Sequence, residues 1–164
     1  NGIMKTQNFL NKLSREGKIQ IVDPSLQIQE AYQKKSESYL ISAKILLENE
    51  RLEETVSMAY YSMYYMLLAL LFKTGIKCEN HSGAIILLER LYGIDNSWIA
   101  AAKRDRIDKQ YYVDFAITAE EVRDSIEEAE DFCAELLDFM ERLHQGEISH
   151  FRKEAVRLLG EPEK

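Results

Sequence analysis

The sequence predicts an all-α protein: an up-and-down helical bundle with short helices at its N- and C-terminal ends and a short extra helix between its main elements. Three observations lead there. Of 164 residues only seven are glycine and two proline. Gly17, Gly75, Gly93, Gly146 and Gly160 fall between periodic segments, which suits long helices joined by short turns. Val122, Ile126, Ala129, Cys133, Leu136, Met140 and Leu143 recur at alternating intervals of four and three, the seam of antiparallel bundle packing. The segment 52–74 has few polar positions over its second half. A helix apolar nearly all round is buried on most sides, so this one is expected at the centre.

Each element follows from local chemistry. A short helix is expected from about Lys5 to Arg15, ended by Gly17; Asn1–Ile3 precede Met4 and are set aside in reasoning about the fold. Lys18–Val22 alternates and reads as extended. Asp23 and Pro24 then read as an N-cap followed by proline at the first helical position. The helix they open runs to about Asn49, with Tyr32, Tyr39, Ala43, Leu46 and Leu47 on one side. The central helix covers about Leu52 to Thr74 and stops at Gly75. Asn80 caps a helix through Tyr92, stopped by Gly93, and another spans about Ser97 to Tyr111. Thr118 and Glu121 form a capping box for the helix carrying the four–three seam. An amphipathic helix from about Glu147 to Leu159 is last. The organisation expected is residues 1–25 as N-terminal helix and linker, 26–143 as the bundle, and 144–164 as the C-terminal helix.

The net charge of −7 is uneven. Residues 118–143 hold ten acids and two bases, so the remainder sums to about +1. The acidic run reads as a solvated helix face. The total argues against broad, sequence-blind nucleic-acid binding, which needs a basic surface, while leaving room for a local basic patch. Cys78 and Cys133 are the two cysteines. They make neither a disulfide framework nor a zinc spacing, and Cys133 belongs to the apolar stripe. No signal peptide is visible, and the run Met66–Phe72 is too short to span a bilayer, so a cytoplasmic protein without a membrane partner is expected. There is no Gly-x-Gly-x-x-Gly, P-loop or Gly-x-Ser-x-Gly. Glu141 and His144 have the Glu-x-x-His spacing of di-iron bundles, but such sites need two pairs and two further glutamates. No metal and no cofactor are expected.

The stretch MAYYSMYYMLLALLF, residues 58–72, raises the functional question. At 100° per residue Tyr60, Tyr61, Tyr64 and Tyr65 share an arc of about 140°. Ser62 and Ala69 lie opposite, where small side chains let another helix come close. Two readings compete. In one the rings are core, with hydroxyls reaching polar partners at the rim. In the other they line a cleft or a subunit interface. The run Lys103–Lys109, with four bases and two acids, reads either as a solvated face or, beside Tyr111, Tyr112 and the tyrosine arc, as a phosphate-plus-stacking surface for a nucleotide.

Taken in order, AYYSMYYMLLALL, the His81-Ser82-Gly83 that heads the next helix, and Arg106-Ile-Asp-Lys-Gln-Tyr111 before an acidic last bundle helix resemble the HEPN domain family. The resemblance covers about residues 26–143, and the preceding FLNKLSREGKI is similar to archaeal and bacterial members. It implies a four- to five-helix bundle, a homodimer, and pairing with a minimal nucleotidyltransferase-fold protein. A subset of the family are metal-independent RNases, acting as toxins or defence effectors, whose motif is Arg, four to six residues, then His. Here Tyr111 stands where that pattern has histidine, whether the count starts at Arg106 or Arg104. A phenol titrates near ~10 and an imidazole near ~6.5, so tyrosine is a poor general base at neutral pH. Losing that base costs on the order of 10²–10⁴ in rate unless another group substitutes. Arg106 can grip a phosphate without the histidine.

The favoured expectation is therefore a dimeric helical binding partner of a nucleotidyltransferase-fold protein, in a toxin–antitoxin-like module, associated with nucleotide or RNA. Arg104, Arg106, Lys109, Tyr111, Tyr61, Tyr64 and Tyr65 are the candidate phosphate and ligand contacts. The first alternative is a metal-independent RNase toxin using Arg106 and Tyr111, with His81 as a structural hydrogen-bonder or as the missing base. The second is a purely structural dimerisation bundle.

Overall fold

A computed structural model describes residues 1–111 and 116–160, the side chains of 108–111 excepted. Seven helices and one two-stranded ribbon are among the described residues: α1 (Gly2–Arg15), β1 (Ile19–Ile21), α2 (Leu26–Glu48), α3 (Leu52–Lys73), β2 (Ile76–Cys78), α4 (His81–Tyr92), α5 (Ser97–Tyr111), α6 (Ala119–Arg142) and α7 (Gln145–Leu159).

The bundle is built around α3, which packs against α2, α5 and α6. Its composition leaves no other solution: from Met66 to Leu71 every side chain is buried, and only a helix enclosed on several sides can hide such a run. At 22 residues α3 is long and apolar enough to cross a membrane by length and composition, but 78% of that stretch is buried inside the protein. Ser62 and Ala69, both 0% exposed, mark its close approaches. Ser36 Oγ of α2 donates to the Ser62 carbonyl at 2.6 Å, and Cys133 of α6 lies 3.6 Å from the same hydroxyl. The four–three seam of α6 packs inward: Val122, Ile126, Ala129, Cys133, Leu136 and Met140 are all buried. Cys133 is a core side chain, its thiol pushed up to about 11 by burial.

One end of the bundle is closed by α1, α4, α7 and the ribbon, which pack on one another. Leu10, Leu13, Ala155 and Leu159 from the terminal helices belong to the same apolar cluster as Leu67 and Leu70 of α3. The ribbon is antiparallel, with Ile19 opposite Cys78 and Ile21 opposite Ile76. Lys18–Val22 was expected to be extended; its partner Ile76–Cys78 was not anticipated.

Most boundaries agree with the sequence reading, and two shift for local reasons. The cap of α2 is Ser25, not Asp23: its hydroxyl accepts the Ile28 N–H at 3.2 Å, so Pro24 lies outside the helix. The residues before Met4 are part of α1, whose cap Asn1 accepts the Ile3 N–H at 3.1 Å. Asn80 accepts the Gly83 N–H at 2.8 Å, and Thr118 accepts that of Glu121 at 3.1 Å, as the capping patterns imply. His144 caps α7, with Glu147 accepting its backbone N–H at 2.6 Å.

Candidate functional site

The tyrosine arc of α3 divides into two pairs. Tyr60 and Tyr64 are buried, while Tyr61 and Tyr65 are half-buried. The core reading thus describes the first pair, and the second reaches the surface. Against this arc the turn from β2 to α4 brings His81. Because Asn80 fixes the start of α4, His81 is its first helical residue. Its ring stacks on Tyr64 at a centroid distance of 3.9 Å, and its Nδ1 lies 2.7 Å from the Tyr60 hydroxyl.

Arg106 of α5 arrives from the other side. Its Cζ stands 4.9 Å from the Tyr61 ring centroid and 5.8 Å from that of Tyr60, a cation–π arrangement. The side chain is half-buried. Its Nε is buried and has no hydrogen-bond partner, and among the described residues no carboxylate is paired with it. An unneutralised charge in such a place costs stability. His81 and Arg106, 25 residues apart in sequence, therefore meet the same phenol.

The electrostatics set the protonation states. The His81 pKa falls below its ordinary 6.5, first through burial, then through the positive charges of Arg106 and Lys103. Its place at a helix N-terminus works in the same direction. Burial raises the Tyr60 phenol above its ordinary range, outweighing the opposing pull of Arg106, so the phenol keeps its proton. Its contact with Nδ1 of His81 takes either direction, set by the imidazole tautomer. A neutral imidazole accepting at Nδ1 carries its hydrogen on Nε2. In that tautomer Nε2–H joins the Arg106 fork as a donor; in the other, Nδ1–H donates to Tyr60 and Nε2 is the free base.

Of the residues singled out from sequence, Tyr61, Tyr64, His81 and Arg106 come together. Tyr65 joins them through Tyr64 and Tyr61, at ring distances of 5.7 and 6.4 Å. Arg104 is exposed, and among the described residues no cation–π contact joins it to a ring. Lys109 and Tyr111, like Tyr112, lie outside the described side chains. Sequence reasoning placed Tyr60 in the arc without seeing it as the link, because its partner is on another helix. It also missed the second tier from α2. Tyr39 stacks on Tyr65 at 5.3 Å and 3° and contacts Tyr61 at 5.5 Å. Tyr32 stacks on Tyr65 at 5.9 Å, and Lys35 Nζ sits 4.5 Å from the Tyr65 centroid. The signal was present: Tyr32, Lys35 and Tyr39 are three and four apart, hence on one helical face.

A sequence profile of the HEPN domain matches residues 29–143. The chain is similar to a UPF0332 protein of Thermotoga maritima, 36% identical over 63 residues, which are 38% of this chain and 48% of the relative. It is also similar to a UPF0332 protein of Pyrococcus horikoshii, 43% identical over 65 residues, 40% of this chain and 43% of that one. The chain spans less than half the length of each of these curated relatives.

Proposed function

The chain belongs to the HEPN domain family, and from that premise we propose that it is a binding module whose Arg106 site takes a phosphate of a nucleotide or of RNA. It works as a homodimeric helical partner of a minimal nucleotidyltransferase-fold protein, in a toxin–antitoxin-like pair. One observation carries the reading: a half-buried guanidinium with an orphaned Nε shares Tyr60 with the His81 imidazole. A guanidinium with no carboxylate paired to it among the described residues suits an anion. The phosphate end is tested by calorimetric titration of the full chain with inorganic phosphate and with adenosine 5′-monophosphate. Binding should weaken at least tenfold in Arg106→Ala and less in His81→Gln; equal affinity in wild type and Arg106→Ala would refute the assignment. Co-purification with a nucleotidyltransferase-fold protein tests the partner, and recovery of a lone, ligand-free monomer contradicts it.

The proximity of His81 to Arg106 supports a second reading, a metal-independent RNase. The imidazole would take the 2′-hydroxyl proton, O2′ would attack phosphorus, and the 5′-oxygen would leave with a proton from an acid such as Tyr111. This requires the other tautomer, with Nδ1–H donating to Tyr60 and Nε2 free to accept. Labelled RNA without metal decides it. Cleavage abolished in both His81→Gln and Arg106→Ala favours the RNase, and cleavage equal in wild type and Arg106→Ala rejects it. A purely structural dimerisation role has the least support, because Arg106 is not spent in an ion pair among the described residues.

A further inference from the structure

The start of α4 is held from two sides. From α3 come the Tyr60 hydroxyl and the Tyr64 ring, which His81 meets at 2.7 and 3.9 Å. From the other side come α1 and β1, which precede the family domain at residues 29–143. The Lys18 N–H donates to the Leu13 carbonyl at 2.8 Å, and the Lys18 carbonyl accepts the Glu79 N–H at 2.8 Å. The next residue, Asn80, accepts the Gly83 N–H. A run of hydrogen bonds thus leads from the end of α1 through the ribbon to the cap of α4. Gly83, the third residue of that helix, is where the two segments touch. A Cβ there would stand 2.7 Å from Leu13 Cδ1 and 3.5 Å from Ile19 Cδ1. Both side chains are buried, at 4% and 0% exposure, so neither swings away without opening a void in a close-packed interior. Helix propensity alone favours alanine over glycine; what Gly83 supplies is space for Leu13.

We infer that Leu13, Ile19 and Gly83 are positioning residues for His81: the α1–β1 segment, wedged against the first turn of α4, fixes where the imidazole stacks on Tyr64 and meets Tyr60. They act through the backbone of one helical turn. His81 and Gly83 belong to the same turn, closed by the Asn80 cap, so a displacement at Gly83 is passed on to His81. The contact with Tyr60 is the sensitive part, because a hydrogen bond weakens steeply once its angle departs from the preferred range. The inference does not rest on a ligand. The donor role and the base role of His81 both need the ring in this place. Around the ring stand Tyr60 and Tyr64 from α3 and the cations Arg106 and Lys103 from α5, so its titration reports its distance from them.

The test follows the His81 ring by nuclear magnetic resonance in a pH titration of the ligand-free full chain, beside urea unfolding. Gly83→Ala should shift the ring resonances and move the His81 pKa back towards its ordinary 6.5. Adding Leu13→Ala, which removes the clashing methyl, should return both towards wild type. Ile19→Val deletes only Cδ1; it should leave a folded chain and move His81 in the same direction by less. Leu159→Ala is the control. Leu159 is buried in α7, whose Leu158 shares a cleft with Leu91 at the other end of α4. This variant should lower stability and leave the His81 resonances in place. A Gly83→Ala chain that loses stability with His81 unmoved overturns the inference. So does a double variant no nearer to wild type than Gly83→Ala, since Leu13 is then not the contact that matters. A shift in Leu159→Ala equal to that in Ile19→Val also overturns it, because the effect is then general loosening. If Gly83→Ala does not fold, the comparison of Ile19→Val with Leu159→Ala decides alone.

Discussion

Arg106 stands where a charge is costly, with its Nε–H beside phenol rings and no acceptor among the described residues. With the proposed phosphate-binding role, stability and binding should part company there. Arg106→Met keeps the apolar stem and removes the charge. It should raise the melting temperature by about 2–4 °C, a stabilisation of about 1 kcal/mol, while binding of adenosine 5′-monophosphate is lost; paired thermal melts and calorimetry check this. His81 gives a pH dependence of definite sign. Its folded pKa lies below the ordinary 6.5, so the unfolded chain takes up the proton first. Stability therefore falls as pH drops from 6.5 through the folded pKa, and the loss levels off below it. In urea unfolding at a series of pH values, His81→Gln should show a flatter profile across that window than wild type. An identical profile would mean that His81 titrates normally.

At the scale of elements, the joint after α3 is the most constrained. Gly75 has φ of 77°, and a Cβ there would overlap the Arg152 guanidinium and stand 2.5 Å from the Val22 carbonyl. Arg152 of α7 donates to the carbonyls of Val22, Thr74 and Gly75 at 2.6, 3.3 and 3.4 Å, tying three segments through one side chain. Arg152→Ala should cost about 2–3 kcal/mol, as loss of hydrogen bonds from a charged donor, and Gly75→Ala at least about 2 kcal/mol through its positive φ and the overlap. Denaturant titration measures both. The sequence showed that a helix ends at Gly75 but not that an arginine 77 residues later closes the joint. Ile76–Cys78 escaped notice because three alternating residues carry little signal until Ile19–Ile21 pairs with them. The start of α2 was misplaced because Asp23, Pro24 and Ser25 all suit a helix entry, and only the backbone decides which side chain meets a free N–H.

Across the whole molecule, helices and their packing faces were legible because they depend on spacings of three and four within one segment. The apolar arc of α3 and the seam of α6 needed no partner to be seen. The site was only partly legible, since its components are adjacent in space and not in sequence: His81 and Arg106 belong to separate helices, and Tyr32, Lys35 and Tyr39 join them from a third. The terminal helices contribute Leu10, Leu13, Ala155 and Leu159 to the apolar cluster of the bundle, so the chain should unfold in one transition, with near- and far-ultraviolet circular dichroism melting together; separate midpoints would show that the ends fold independently. The proposed binding role turns on one proton. Nitrogen-15 imidazole shifts of His81 in the ligand-free protein at neutral pH measure it: a neutral ring with its hydrogen on Nε2, shifting in Tyr60→Phe, is the predicted result, and a ring protonated on Nδ1 with Nε2 free, or a charged imidazolium, contradicts it.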